Sequence, residues 1–239
     1  MQPLNTTHPD PSPVDSRRAL ISSFLGSTVE YYDFLLYGAA AGLVFPKLFF
    51  PNTMDPVLGS TLSFVILLAG YISRPIGGIL FGHFGDKYGR KNILVITLLM
   101  MGLVSVVIGL MPTYATIGVA APLILVALRI VQGLAVGGEW AGATLMAAEH
   151  VNQDRRGFAA SIAVTGGPTG SVLATLVLAL FSGLPDDAFL SWGWRVPFLL
   201  SAVLVIVGLF LRYRVTESPT SRRRRWPARY APAHRFSVC

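Results

Sequence analysis

Glu30, Asp33 and Tyr37 lie in one apolar stretch at spacings of three and four, so they share one face of any helix that contains them. A charge at the centre of a membrane helix costs roughly 2.5–3.5 kcal/mol on insertion scales, so such groups must face a protein interior or a watery cavity. Desolvation and a nearby cation act in opposite senses on the proton affinity of a carboxyl placed there, which is the property a proton-coupled carrier uses. The alternative role is structural, a carboxyl paired to hold helices together. A second set lies in RIVQGLAVGGEWAGA, where Arg129, Gln132 and Glu139 fall within about 80° of one another at about 100° per residue. Arg129 is placed to pair with Asp33 or Glu30, and Glu139 lies about 15 Å further along the axis. Arg74, just ahead of Pro75, Gly77 and Gly78, either snorkels to the surface or points into a cavity.

The elements that hold these groups are predicted to be membrane helices. The chain has 239 residues, 53% hydrophobic and 13% charged, with a mean hydropathy of +0.59, far from the balance of a soluble domain. Its charges cluster and leave apolar runs at roughly 21–45, 59–81, 92–111, 116–148, 158–183 and 196–213, near the ~20 residues that cross ~30 Å of hydrocarbon. The runs are continuous rather than alternating and exceed the ~10-residue strands of membrane barrels. The expected fold is therefore an all-α membrane protein with six spans. An even number of spans puts both ends on one side, the side that gathers Arg17, Arg18, Lys87, Arg90, Lys91, Arg155, Arg156, Arg212 and Arg214. The opposite loops, near 46–58, 112–115 and 184–195, carry only Lys47 and Arg195, so both termini are expected in the cytoplasm. Topology then accounts for the net charge of +7, and the run Arg222 to Arg225 reads as a solvated or lipid-facing tail rather than a nucleic-acid patch.

Residues 1–18 are polar and Pro-rich and are expected to form a disordered cytoplasmic lead-in without a cleavable signal peptide, followed by a six-helix domain over 19–216. Residues 217–239 form a basic tail, and the single cysteine, Cys239, leaves no intrachain disulfide and no prenylation box. Gly133, Gly137, Gly138 and Gly142 give small-x-x-x-small spacings suited to close helix packing, and Gly166, Gly167, Pro168 and Gly170 allow a structural kink. Trp192, Trp194, Tyr114 and Tyr213 fall near span ends as interfacial aromatics. His150, Glu149 and Asp154 lack the paired-His spacing of a metal site, and neither a nucleotide-binding Gly-Lys loop nor a hydrolytic triad is present. No cofactor and no enzymatic activity are expected.

Between the second and third runs lies GHFGDKYGRK, which puts Gly82, Gly85, Asp86, Gly89, Arg90 and Lys91 into an expected tight polar turn. This spacing resembles the signature loop of the major facilitator superfamily of secondary transporters. STVEYYDFLLYG, SRPIGGILFGHFGDKYGRK, LRIVQGLAVGGEWAGATLMAAEH and WGWRVPFLL, in that order, resemble its metabolite:proton symporters, which include proline/betaine, α-ketoglutarate, citrate and shikimate carriers. The resemblance covers about Ser23 to Pro219. It implies the N-terminal half of a major facilitator fold, a 3+3 inverted repeat, in a bacterial-type inner membrane. It also implies uptake of a small polar metabolite, an organic acid or zwitterion, coupled to protons by alternating access. On that analogy Asp33 and Arg129 are the coupling pair, with Glu30 and Glu139 as further candidates, and Asp86 and Arg90 belong to a cytoplasmic gate. Arg74 and Arg129 would suit a carboxylate, whereas Glu30, Asp33 and Tyr32 would suit a quaternary amine.

The family builds its carriers from two six-helix halves, whereas this sequence turns after VTESP into the Arg- and Pro-rich TSRRRRWPARYAPAHRFSVC. Two functions follow as expectations. One is a half-length carrier that works by self-association or with a second half-transporter. The other is a non-transporting membrane remnant or interaction module.

Overall fold

The computed structural model describes residues 13–149 and 156–213. Its helices run α1 (Pro13–Leu43), α2 (Phe45–Leu48), α3 (Pro56–Tyr88), α4 (Arg90–Leu110), α5 (Tyr114–Ile117), α6 (Ala120–Glu149), α7 (Arg156–Ser182), α8 (Asp186–Ala188) and α9 (Arg195–Tyr213), with a π-helical turn at Phe189–Gly193. There is no strand among the described residues. Helix α1 starts at Pro13, inside the segment expected to be a disordered lead-in. Residues 1–12, the loop with His150 and Asp154, and the tail from 214 onward lie outside the described residues.

Among the described residues five stretches are long and apolar enough to cross a membrane: Pro56–Tyr88, Lys91–Leu110, Ala120–Glu139, Gly157–Ser182 and Asp186–Tyr213. Their outward faces are apolar, with Ile79 77% and Leu180 76% exposed, the inverse of a soluble bundle. Helix α1 has the length to span, 31 residues or about 46 Å, but carries Glu30, Asp33, Tyr31, Tyr32 and Tyr37. Those residues are tolerable because α1 is inside the bundle, packed against α7, α9, α6 and α3. It is the sixth member of the bundle, and Glu30, Tyr32, Asp33 and Tyr37 are turned inward while Tyr31 is exposed.

The most extensive helix pairings are α3 with α6, α1 with α7 and α4 with α9, followed by α4 with α6 and α1 with α9. Exchanging the triplet α1, α3, α4 for α6, α7, α9 maps α3·α6 onto α7·α1 and α4·α6 onto α9·α1, and leaves α4·α9 unchanged. The packing therefore has the symmetry of a 3+3 repeat. Because each unit holds three spans, an odd number, the second starts on the opposite side of the bilayer and the repeat is inverted.

Local chemistry explains several boundaries. Asp55 caps α3 by accepting from the Val57 and Leu58 amides at 2.9 and 3.2 Å, and Pro56 occupies the first helical position, where its missing N–H costs nothing. The polar turn expected over GHFGDKYGRK is instead mostly helix: α3 continues to Tyr88, and the chain reverses at Gly89 alone, whose φ of 98° suits glycine. The lone positive-φ position suffices because the Gly89 amide still reaches the Gly85 carbonyl at 3.0 Å. Helix α7 likewise runs unbroken through Pro168.

At the end away from Gly89, the rings of Tyr37, Phe45, Phe49, Trp194 and Phe198 form one buried cluster, with centroid separations of 5.0 Å for Tyr37–Phe45 and 5.9 Å for Phe49–Trp194. Trp194 is thus a core residue rather than the interfacial aromatic its position suggested, whereas Trp192 is half exposed. Next to it, Arg195 donates to the Gly109 and Met111 carbonyls at 2.9 and 2.8 Å and ties α9 to the unpaired end of α4. At the Gly89 end, Lys91 donates to the Tyr213 carbonyl at 2.8 Å, so the same two helices are clasped at both ends.

Glycine sets the separation of α3 and α6. A Cβ added at Gly137 would collide with the Arg74 carbonyl, and one added at Gly133 with the Gly70 carbonyl. Gly137→Val is expected to lower the melting temperature of the detergent-purified chain by an amount corresponding to about 1–3 kcal/mol of overpacking. Gly82→Ala, where a Cβ meets nothing within 4 Å, should leave melting unchanged, and equal losses in both variants would refute the packing role.

Candidate functional site

Between α1, α3 and α6 lies a cleft lined by Glu30, Asp33, Phe34, Gly70, Arg74, Arg129, Gln132, Gly133 and Val136. Two carboxylates face two guanidinium groups, so the formal charges of the cleft cancel. Arg74 sits 3.5 Å from the Glu30 carboxylate and 27% of its side chain is exposed, so of the two positions open to it in the sequence it takes the cavity. Its guanidinium lies over the Tyr71 ring at 4.5 Å and the Phe34 ring at 5.6 Å, and those rings contact edge to face.

Asp33 and Arg129 come together without a direct ion pair. Arg129 donates to the Gln132 Oε1 at 2.6 Å, and the Gln132 amide nitrogen reaches Asp33 Oδ2 at 3.5 Å and the Ser105 oxygen at 3.1 Å. Ser105 in turn donates to Asp33 Oδ2 at 2.7 Å. Arg129 lies over the Tyr37 ring at 4.1 Å, so Tyr37 contributes its π face and not its hydroxyl. Room for the arginine comes from Gly70, where an added Cβ would fall 2.8 Å from Arg129 Cγ. The buried Glu30 Oε2, Asp33 Oδ1, Tyr37 hydroxyl and Arg129 Nε have no hydrogen-bond partner among the described residues, which leaves four polar atoms around this cluster to be satisfied by water or a ligand.

Glu139, grouped with these residues by helical phase, lies elsewhere. Two turns beyond Gln132 on α6, it forms a buried, two-armed ion pair with Arg212 of α9. One Arg212 nitrogen bonds Glu139 Oε2 at 2.8 Å and the other bonds Oε1, and Thr97 of α4 donates to the same Oε2 at 3.0 Å. Arg212 also donates to the Leu94 carbonyl at 2.5 Å, so the pair joins α4, α6 and α9. Tyr32 is also outside the cleft: it is buried and donates to the Pro197 carbonyl at 2.8 Å. The loop residues are remote as well, with Gly82 and Asp86 exposed on the last turns of α3, Gly89 buried at the reversal, and the Arg90 side chain outside what the structure describes.

Sequence reasoning missed Ser105 and Arg212. Arg212, expected among the cytoplasmic charges, also continues the buried stripe Pro197, Phe198, Ser201, Val205, Gly208 at helical spacing. Ser105 follows Leu94, Leu98 and Met101 on the buried face of α4 in the same way.

Residues 24–235 match the model of the Major Facilitator Superfamily. The chain belongs to the Major Facilitator Superfamily. It is 45% identical to the shikimate transporter of Escherichia coli over 219 residues, covering 90% of this chain and 50% of that protein. It is 40% identical to the proline/betaine transporter of Salmonella typhimurium, covering 85% of this chain and 40% of that one. Among solved structures, the inward open conformation of the xylose transporter XylE from E. coli shares the fold, with a TM-score of 0.73 at 20% identity over 85% of this chain and 48% of that one. The chain spans about half the length of the curated relatives it matches. This superfamily member is a multi-pass membrane protein, and the relatives it resembles are named as transporters, not enzymes.

The Glu139–Arg212 pair yields a test of its own. Arg212→Met leaves a buried carboxylate without its partner and is expected to cost about 3–5 kcal/mol. Adding Glu139→Leu should return most of that stability, because an apolar pair removes the desolvation penalty on both sides. Thermal melting of the four proteins in one detergent checks the cycle, and an additive double variant would deny the pair its structural role.

Proposed function

We propose that this chain supplies the N-terminal half of a proton-coupled secondary transporter that moves a small polar metabolite across a bacterial inner membrane by alternating access. The observation that carries the reading is the charge-balanced cleft of Glu30, Asp33, Arg74 and Arg129 in a superfamily whose relatives here are named carriers of shikimate and of proline and betaine. Charges inside a membrane domain are expensive, and a cleft whose buried polar atoms lack partners among the described residues is where a substrate and a proton would meet. Asp33 and Arg129 form the coupling pair through Gln132. A proton on Asp33 weakens its hold on the Ser105 and Gln132 bridge and biases the exchange between outward- and inward-facing states. Both termini lie in the cytoplasm, and this six-helix half lines one side of the transport path. Asp86, Arg90 and Lys91 act in the cytoplasmic gate at the Gly89 reversal.

The alternative is a membrane protein that inserts but carries nothing. Liposomes containing the purified chain, under an imposed inward proton gradient, separate the two readings. Uptake of shikimate or betaine with accompanying proton entry is expected for the carrier, and Asp33→Asn should abolish proton-driven accumulation while leaving exchange without a gradient. No flux of solute or protons would establish the second reading.

A further inference from the structure

Four helices of the bundle repeat one order of residues along its axis: polar, apolar, polar. On α4, Thr97 serves Glu139 and Ser105 serves Asp33, with about 12 Å of helix between the two hydroxyl residues. Midway between them, one turn from each and on the same face, stands the fully buried Met101. On α6, Ala135 and Val136 separate Gln132 from Glu139. On α1, Val29 separates Glu30 and Asp33 from Gly26, against which the Glu139–Arg212 pair is packed. On α9, Val205 lies between Ser201 and Arg212. Val29, Leu98, Met101, Ala135, Val136 and Val205 join in one buried apolar cluster.

Reciprocal contacts close this layer between α4 and α9. Leu98 rests on Gly208, where an added Cβ would fall 3.1 Å from Leu98 Cδ2, and Val205 rests on Gly102, where an added Cβ would fall 2.6 Å from Val205 Cγ2. Val136 also lines the cleft, so the cleft ends on the apolar layer. Hydrogen-bonding capacity remains on both sides of it. Glu30 Oε2 and Asp33 Oδ1 on the cleft side, and Ser22 Oγ and Arg212 Nε on the Gly89 side, have no partner among the described residues. Between the two sides, five of the six cluster side chains carry no hydrogen-bonding group, and Met101 offers only a weakly accepting sulfur. Interior water needs about two to four polar partners, so this layer is dry.

We infer that the layer is a proton-tight septum, which stops a proton in the cleft from passing through the middle of the bundle to Glu139 and out at the Gly89 end. Proton movement through a protein needs a continuous chain of polar groups or water, and an apolar constriction breaks that chain by excluding water. Met101 marks the cut. Residues one turn apart on a helix have Cβ atoms about 5–6 Å from each other, so a polar side chain at this position leaves gaps on either side that a single water spans. The septum is a property of the six-helix bundle and stands whether or not the chain moves solute.

The test places the full purified chain in liposomes that enclose a pH-sensitive dye and follows proton entry after a pH step, with the membrane potential clamped and no solute present. Wild type and Met101→Leu should admit protons no faster than protein-free liposomes. Met101→Gln should raise the rate severalfold, as should Val136→Thr, which adds a hydroxyl at nearly unchanged volume. Adding Glu139→Leu and Arg212→Met to Met101→Gln removes the polar layer beyond the septum and should return entry to the wild-type rate. Melting curves show that each variant is folded. A second measurement needs no variant: hydroxyl radicals made by radiolysis oxidise side chains beside water, so in the wild type the half-buried Met54 should react and Met101 should be spared. Folded Met101→Gln and Val136→Thr proteins that admit protons at the wild-type rate would overturn the septum, as would oxidation of Met101 as fast as that of Met54. Entry that persists in the triple variant overturns the route to Glu139. Solute uptake is scored separately, so none of these results decides the transport reading.

Discussion

Along the α3–α6 contact the two backbones approach so closely that glycine is required where they touch, Gly70 and Gly77 on one side and Gly133 and Gly137 on the other. In hydrocarbon there is little hydrophobic gain from bringing two apolar helices together, so contact between them depends on van der Waals packing over small residues. That contact also sets the functional geometry. Arg74 and Arg129 project from the touching stretch, and Gly70 leaves the space that the Arg129 side chain fills. A bulkier residue at these positions would separate the helices and dissolve the cleft, even though none of the glycines carries a polar side chain.

Once the helices are in place, electrostatics divides the buried charges into two kinds. The Glu139–Arg212 pair is closed: both partners are 1% exposed, the contact is two-armed, and Thr97 and the Leu94 carbonyl take up further capacity. Such a pair joins three helices and leaves little for a ligand to engage. The Glu30–Arg74 and Asp33–Arg129 sets are open, with longer contacts, bridging amides and unpartnered atoms. A strongly satisfied pair resists change, whereas a loosely satisfied one can be rearranged at low cost, and the alternation required of a carrier is better served by the second. The two kinds lie two turns apart on α6, so one helix carries both a fully satisfied charge and a loosely satisfied one.

Much of the architecture was legible in the chain. Six apolar runs, the glycine spacings in the fourth, and the inward carboxylates of the first are all consequences of what a bilayer allows, and each is local in sequence. The cleft membership of Glu30, Asp33, Arg129 and Gln132 followed from helical phase and the cost of charge in lipid, whereas that of Arg74, open in the sequence between surface and cavity, was decided by its contact with Glu30. Where the structure departs from the sequence reading the cause is one: Tyr32 and Trp194 are read from their own helix or their distance from a span end, without knowledge of which neighbour each meets, and the pairing of Glu139 with Arg212 is invisible in the sequence for the same reason. The turn expected over GHFGDKYGRK failed differently, because polar residues near a membrane surface can stay helical and only Gly89 needed a turn conformation.

The sequence by itself determined that this is a helical membrane protein of the Major Facilitator type, because span length, hydropathy and motif order depend on residues close together in the chain. The tertiary structure alone decided the partners: Arg74 with Glu30, Gln132 between Arg129 and Asp33, Arg212 with Glu139, and Tyr32 turned away to Pro197. A helix's periodicity gives the direction of a side chain around its own axis. It does not give the rotation and depth at which two helices pack, and those determine which charge meets which.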